Sequence, residues 1–195
     1  MSQALNYAED LTNHRYVPTC CSTTLSTASR RTFLKAVGGS VMFTSVGMLA
    51  SGTAVAASGN YEAMVLSCID PRFQDLVNKQ QARDGLAGKY SAFTIAGASI
   101  GVVAPAFKEW HKTFWENLGA SVQLHNIKKV IVVNHRDCGA AKIAYGDAKV
   151  ANAATETATH KEALIEFRKQ LQAKHPKLGV QLSLMSLDGK LEQFA

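Results

Sequence analysis

Two short clusters of the 195-residue chain hold residue types that do chemistry together. Cys68-Ile69-Asp70-Pro71-Arg72 places a thiol, a carboxylate and a guanidinium at alternate positions. His135-Arg136-Asp137-Cys138-Gly139 places an imidazole and a thiol three residues apart. Two thiolates and one imidazole are a donor set for Zn²⁺ that leaves a fourth position for water or a carboxylate, and the His-x-x-Cys spacing lets one loop supply two of the ligands. Cys138 stands at the expected start of a helix, where free N–H groups favour the thiolate. A Cys68–Cys138 disulfide is the competing reading, but it accounts for neither His135 nor the Asp70-x-Arg72 pair. Asp70 and Arg72 alone would read as an ordinary surface ion pair, worth little energetically.

Both clusters follow apolar runs that read as buried strands, residues 62–67 and 128–133. Further strands are expected over residues 90–96 and 180–187. Helices are expected over residues 73–83, 140–145 and 160–174, and after Pro105, where Phe107, Trp110, Phe114 and Leu118 recur at helical spacing and form one buried face. Asp84-Gly85 and Asp188-Gly189 are turn signals. Residues 148–159, rich in Ala and Thr, carry no clear pattern. Strands alternating with helices imply an α/β fold: a parallel β-sheet core of about four strands, flanked by helices and joined by right-handed crossovers. In such sheets the functional crevice lies beyond the carboxyl ends of the strands, where both clusters emerge.

Taken together, Cys68-x-Asp70-x-Arg72 and His135-x-x-Cys138-Gly139 resemble the motifs of the β-class carbonic anhydrases. The resemblance runs from the first strand to the closing strand and its Asp-Gly turn. It implies a carbonate dehydratase, one Zn²⁺ per chain held by Cys68, His135 and Cys138, and reversible hydration of CO2 to bicarbonate by zinc-bound hydroxide. Asp70 and Arg72 match the family's catalytic Asp-Arg pair. Held by Arg72, Asp70 would orient the hydroxide; released, it would become the fourth metal ligand and shut the site. Two thiolates neutralise the ion's charge, so activity is expected to rise toward alkaline pH. A COS or CS2 hydrolase and a non-catalytic zinc protein of the same fold are the alternative readings. The chain departs from the family pattern at Thr94-Ile95-Ala96-Gly97-Ala98-Ser99, which keeps the Ala-Gly without polar flanks, and at Asn134, where Gly is common. The family also implies a homodimer or larger homo-oligomer.

The N-terminal region reads differently. Ser29-Arg30-Arg31-Thr32-Phe33-Leu34-Lys35 precedes a charge-free stretch, residues 36–57, that includes Ala54-Val55-Ala56. This resembles a twin-arginine export signal with cleavage after Ala56, and it implies the Tat translocase as a partner and a periplasmic or secreted location. The expected division is a cleaved signal over residues 1–56 and a zinc domain over residues 57–195. Cleavage would remove Cys20 and Cys21 and lower the net charge from +6 to +4, too little to imply an anionic partner such as nucleic acid. His111, His125, His160 and His175 have no chemical company in the sequence and read as solvated surface, and the loop gives Arg136 and Asp137 no evident role.

Overall fold

In the computed structural model, residues 59–195 are described. The twin-arginine segment and its cleavage site lie outside them. Four parallel strands form the sheet core: β1 (Ala63–Ser67), β2 (Tyr90–Thr94), β3 (Lys129–His135) and β4 (Gly179–Met185). A fifth strand not expected from the sequence, β5 (Leu191–Phe194), pairs antiparallel with β4, giving the order β2-β1-β3-β4-β5. The Asp188-Gly189 turn makes the β4–β5 reversal, with Gly189 at φ +83°. The two central strands β1 and β3 are short, apolar and almost entirely buried, as strands covered on both faces must be, and β4 is buried over its second half, Leu182 to Met185.

Helix α1 (Pro71–Arg83) covers one face of the sheet, packing Phe73 and Val77 on Val65, Ile131 and Val133. The other face is covered by α3 (Lys108–His125) and α5 (Ala153–Lys174). Their Phe114, Leu118, Leu164, Phe167 and Leu171 meet Leu66, Val130, Val132 and Leu182. Alternation along β3 therefore divides its side chains between two separate cores. Two short helices, α2 (Ser99–Val103) and α4 (Gly139–Tyr145), form a cap at the carboxyl end of the sheet, where Ile100, Ala104, Phe107, Ala140 and Ala141 surround Cys68 and Cys138.

Three differences from expectation have local causes. Helix α5 begins at Ala153 because Asn152 and Thr155 form a reciprocal cap: the Asn152 side chain accepts from the Thr155 N–H and the Thr155 hydroxyl receives the Asn152 N–H. Trp110 lies on the expected apolar face of α3 but is 38% exposed, its ring stacked 4.4 Å from that of Phe107. Helix α2 is too short to show a period. It forms because Gly97 (φ +80°) and Ala98 (φ +50°) turn the chain sharply after β2.

The connections place the two clusters side by side. From β1 the chain crosses to β2 on one flank, then returns past β1 to β3 on the other, so a topological switch point falls between β1 and β3. Ser67 pairs with Val133 in the parallel ladder, and the segments that follow, Cys68 and His135 to Cys138, face one another across the crevice.

Candidate metal centre

The donor atoms of Cys68, His135 and Cys138 all lie within 4.8 Å of one another, and all three side chains are buried. Both cysteines are free thiols, so the disulfide reading does not describe this arrangement. His135 is oriented from two sides. Its Nδ1–H donates to the Arg136 carbonyl at 2.8 Å, and Phe73 stacks on its ring at 4.1 Å. That bond fixes the neutral tautomer with a lone pair on Nε2, and Nε2 is buried with no hydrogen-bond partner. A buried, oriented, unpartnered nitrogen beside two buried sulfurs has the features of a ligand set, and these side chains could hold a metal ion.

The surroundings favour thiolate at Cys68. Cys68 is lowered to about 4: the Cys138 thiol is the largest influence, burial opposes it, and His135 and the N–H groups of Gly97 and Asp70 act with Cys138. The Gly97 N–H lies 3.2 Å from Cys68 Sγ. Cys138 moves the other way, raised by the neighbouring Cys68 sulfur and by burial. For His135, burial lowers the pKa, but the neighbouring Cys68 sulfur and the bond to the Arg136 carbonyl outweigh it and the net shift is upward. Gly97 explains the retained Ala-Gly of its loop: a Cβ there would sit 3.0 Å from Ala140 Cβ and 3.1 Å from Ile100 Cβ, at a positive φ.

Asp70 caps α1 by accepting from the Arg72 N–H at 2.9 Å, and it is gripped by the Arg72 side chain through Nε at 3.0 Å and Nη2 at 2.7 Å. Arg72 holds its carboxyl down at about 2. Its oxygens are thus turned to Arg72 and are not among the three gathered donor atoms. Gln74 braces the same loop, donating to the Cys68 carbonyl at 2.7 Å and the Asp70 carbonyl at 3.0 Å.

Several residues acquire roles that the sequence did not reveal. The Asp137 carboxylate takes Arg72 Nη1 at 2.7 Å. Arg136 is tied to Glu156 and Glu192. His160, read as solvated surface, is wholly buried. It accepts from Asn134 Nδ2 at 3.0 Å, while Asn134 Oδ1 receives both the N–H and the hydroxyl of Ser99. Desolvation is the main cause that lowers His160 to about 4, and its neighbours His135 and Arg136 add to the effect. Asn134 thus has a function that Gly could not supply: it joins β3 to α2 and α5. The other three histidines are half-buried, and His125 bonds Ser91 at 2.7 Å.

Two cavities adjoin the cluster and share Asp70 and Gly139. One, of about 350 Å³, is lined by Cys68 and by apolar groups that include Ile69, Phe107, Trp110 and Ile143. The other, of about 620 Å³, borders Cys138 and is lined by charged groups that include Arg72, Arg136, Asp137 and Lys142.

The fold with its switch-point crevice is that of the β-class carbonic anhydrases. The chain superposes on the β-carbonic anhydrase CcaA with a TM-score of 0.50 at 16% identity, over 72% of this chain and 81% of that one. The β-carbonic anhydrase CafA of Aspergillus fumigatus gives a TM-score of 0.49 at 18% identity, over 70% of this chain and 76% of the other. Residues 58–178 match the family described as "Putative carbonic anhydrase", and the chain belongs to that family. Among its relatives are uncharacterized proteins of Rickettsia bellii, 35% identical over 130 residues that make up 67% of this chain and 79% of the relative, and of Rickettsia conorii, 34% identical over 130 residues and 70% of the relative.

Proposed function

We propose that the protein is a zinc-dependent carbonic anhydrase, interconverting CO2 and bicarbonate, with Cys68, His135 and Cys138 as the protein ligands. The observation that carries this reading is the unpartnered His135 Nε2, locked in orientation beside two buried cysteines. The chemistry the ion supplies when bound is Lewis acidity, which makes water a nucleophile near neutral pH.

The chain's own groups do the rest. Asp70, kept anionic by Arg72, can only accept a proton in a hydrogen bond, so it aligns a water-derived nucleophile with a lone pair free to attack. The apolar cavity beside Cys68 and Asp70 suits an uncharged, non-polar gas and disfavours bulk water. Bicarbonate and the released proton would leave through the charged cavity on the other side of Asp70, past Arg72, Arg136 and Lys142. Stopped-flow CO2 hydration by the purified, zinc-loaded protein tests the assignment, and a rate equal to the uncatalysed background would overturn it. The apolar cavity admits COS and CS2 as readily, so sulfide release from either gas, measured on the same preparation, separates that second reading from the first.

The twin arginines Arg30 and Arg31, with the apolar stretch after them, support Tat export to the periplasm or beyond, which delivers folded and therefore metal-loaded proteins. Replacing both by Lys should leave the protein in the cytoplasm on fractionation. Ile69 (58% exposed), Ile143 (73%) and Trp110 form an apolar rim around the smaller cavity, and they support a homodimer or larger homo-oligomer, which sedimentation of the purified protein would measure.

A further inference from the structure

Glu156, in the first turn of α5, is 8% exposed, and both of its oxygens are engaged by the loop that carries two of the three ligands. Oε1 accepts the Asp137 N–H, and Oε2 lies 3.3 Å from Arg136 Nη1. Arg136 is held further by Thr157 Oγ1 at 2.8 Å and by Glu192 at 3.1 Å. The peptide fixed in this way is the one on which the site depends. The Arg136 carbonyl receives His135 Nδ1, and Cys138 follows Asp137 directly. Asp137 stands at φ +55°, a left-handed conformation that a residue with a side chain seldom takes without external restraint. The same residue carries the grip onward, because its carboxylate and carbonyl both accept from Arg72, which holds Asp70.

We propose that Glu156 is a positioning residue for the metal centre: from helix α5 it fixes the Arg136–Asp137 peptide, so that His135 Nε2 and Cys138 Sγ are presented to one ion. The proposal uses the carbonic anhydrase reading only for what the ion then does. Removing the carboxylate would leave the Asp137 N–H unpaired and take from Arg136 one of its two carboxylate partners, and the left-handed turn would lose its restraint. Groups that orient metal ligands in this way typically change affinity by about 10- to 100-fold when removed.

The test is zinc affinity, measured by competition with a chromophoric chelator, together with the absorption bands of the Co²⁺-substituted protein, which report ligand geometry without turnover. Glu156→Ala should weaken zinc binding by about 10- to 100-fold and shift the cobalt bands. Glu156→Gln keeps an acceptor for the Asp137 N–H while losing the charge that faces Arg136; it should fold if the alanine variant does not, and still show weakened binding and altered bands. Leu171→Ala, a wholly buried position near the far end of the same helix, should lower thermal stability while leaving zinc affinity within about twofold. Wild-type affinity and cobalt spectrum in Glu156→Gln, or a loss in Leu171→Ala equal to that in Glu156→Ala, would overturn the proposal. Failure of the wild-type protein to hydrate CO2 while binding zinc would sink the carbonic anhydrase reading and leave these metal measurements standing.

Discussion

The two loops that converge on the candidate metal centre are held in opposite ways. The first, at the end of β1, is held largely from within: the Asp70 cap, the Arg72 grip and the two Gln74 bonds to carbonyls all span six residues or fewer. The second, at the end of β3, is held from far along the chain. Glu156 and Glu192 reach it across separations of 19 to 56 residues, and Met185 O receives the Arg136 N–H. A locally braced loop keeps its shape if neighbouring elements shift, whereas a remotely braced one reports their positions. The first loop therefore suits a carboxylate that must stay oriented. The second couples two candidate metal ligands to the packing of α5 and the β4–β5 hairpin.

Experiments can break or sharpen this contrast. The largest effect is expected at Cys138: Cys138→Ser removes a sulfur ligand, so metal content should drop well below one per chain and CO2 hydration should fall to background. Stoichiometric zinc in that variant would remove Cys138 from the ligand set. In the first loop, Asp70→Asn should leave zinc bound but lower kcat by roughly 10²- to 10⁴-fold, the range associated with a positioned proton acceptor. Full activity there would deny the carboxylate its role.

A smaller effect concerns the support beneath the second loop. His160 is neutral in the fold with a pKa of about 4, against an unfolded value near 6.5. The unfolded chain thus binds the extra proton first, and stability is lost as pH falls from about 6.5 toward 4. The loss is on the order of 2–3 kcal/mol. His160→Gln, which keeps an acceptor for Asn134, should flatten that part of the curve of urea midpoint against pH. An equally steep fall in the variant would place the acid sensitivity elsewhere.

Beside the first loop, Gly97→Ala forces a Cβ into contact with Ala140 and Ile100 at a positive φ. It should reduce stability by about 1–3 kcal/mol in chemical denaturation and disturb the N–H that faces Cys68. The smallest effect is expected at the bridge between the loops. Asp137 is exposed and its pair with Arg72 is open to solvent, so Asp137→Asn should change the thermal midpoint only slightly, and added salt should erase even that difference.

What the sequence discloses follows the same division. Cys68, Asp70 and Arg72 announce themselves because the chemistry and its local bracing are written within a few consecutive residues. The parallel strands show because each is a short apolar run with turn residues behind it. Glu156 stays hidden because its partners are remote and its segment has no apolar period; only the Asn152-x-x-Thr155 cap marks where that helix starts. His160 and Asn134 escape notice for a related reason, since a buried polar pair has the same composition as a surface one until tertiary structure joins its members. The strand β5 is four residues long with two charged or polar side chains at its centre, too little for a pattern to appear.

The parallel ladder that sets Ser67 beside Val133 also governs the order of events during folding. These residues are 66 apart in sequence, and the entropic cost of closing so long a loop must be met before the contacts it makes reward it. Until that closure occurs, no three donors stand together. Metal capture at these residues would therefore be a late event, open only to a chain with its central strands paired, and an ion bound there would tie the two loops together and slow their separation.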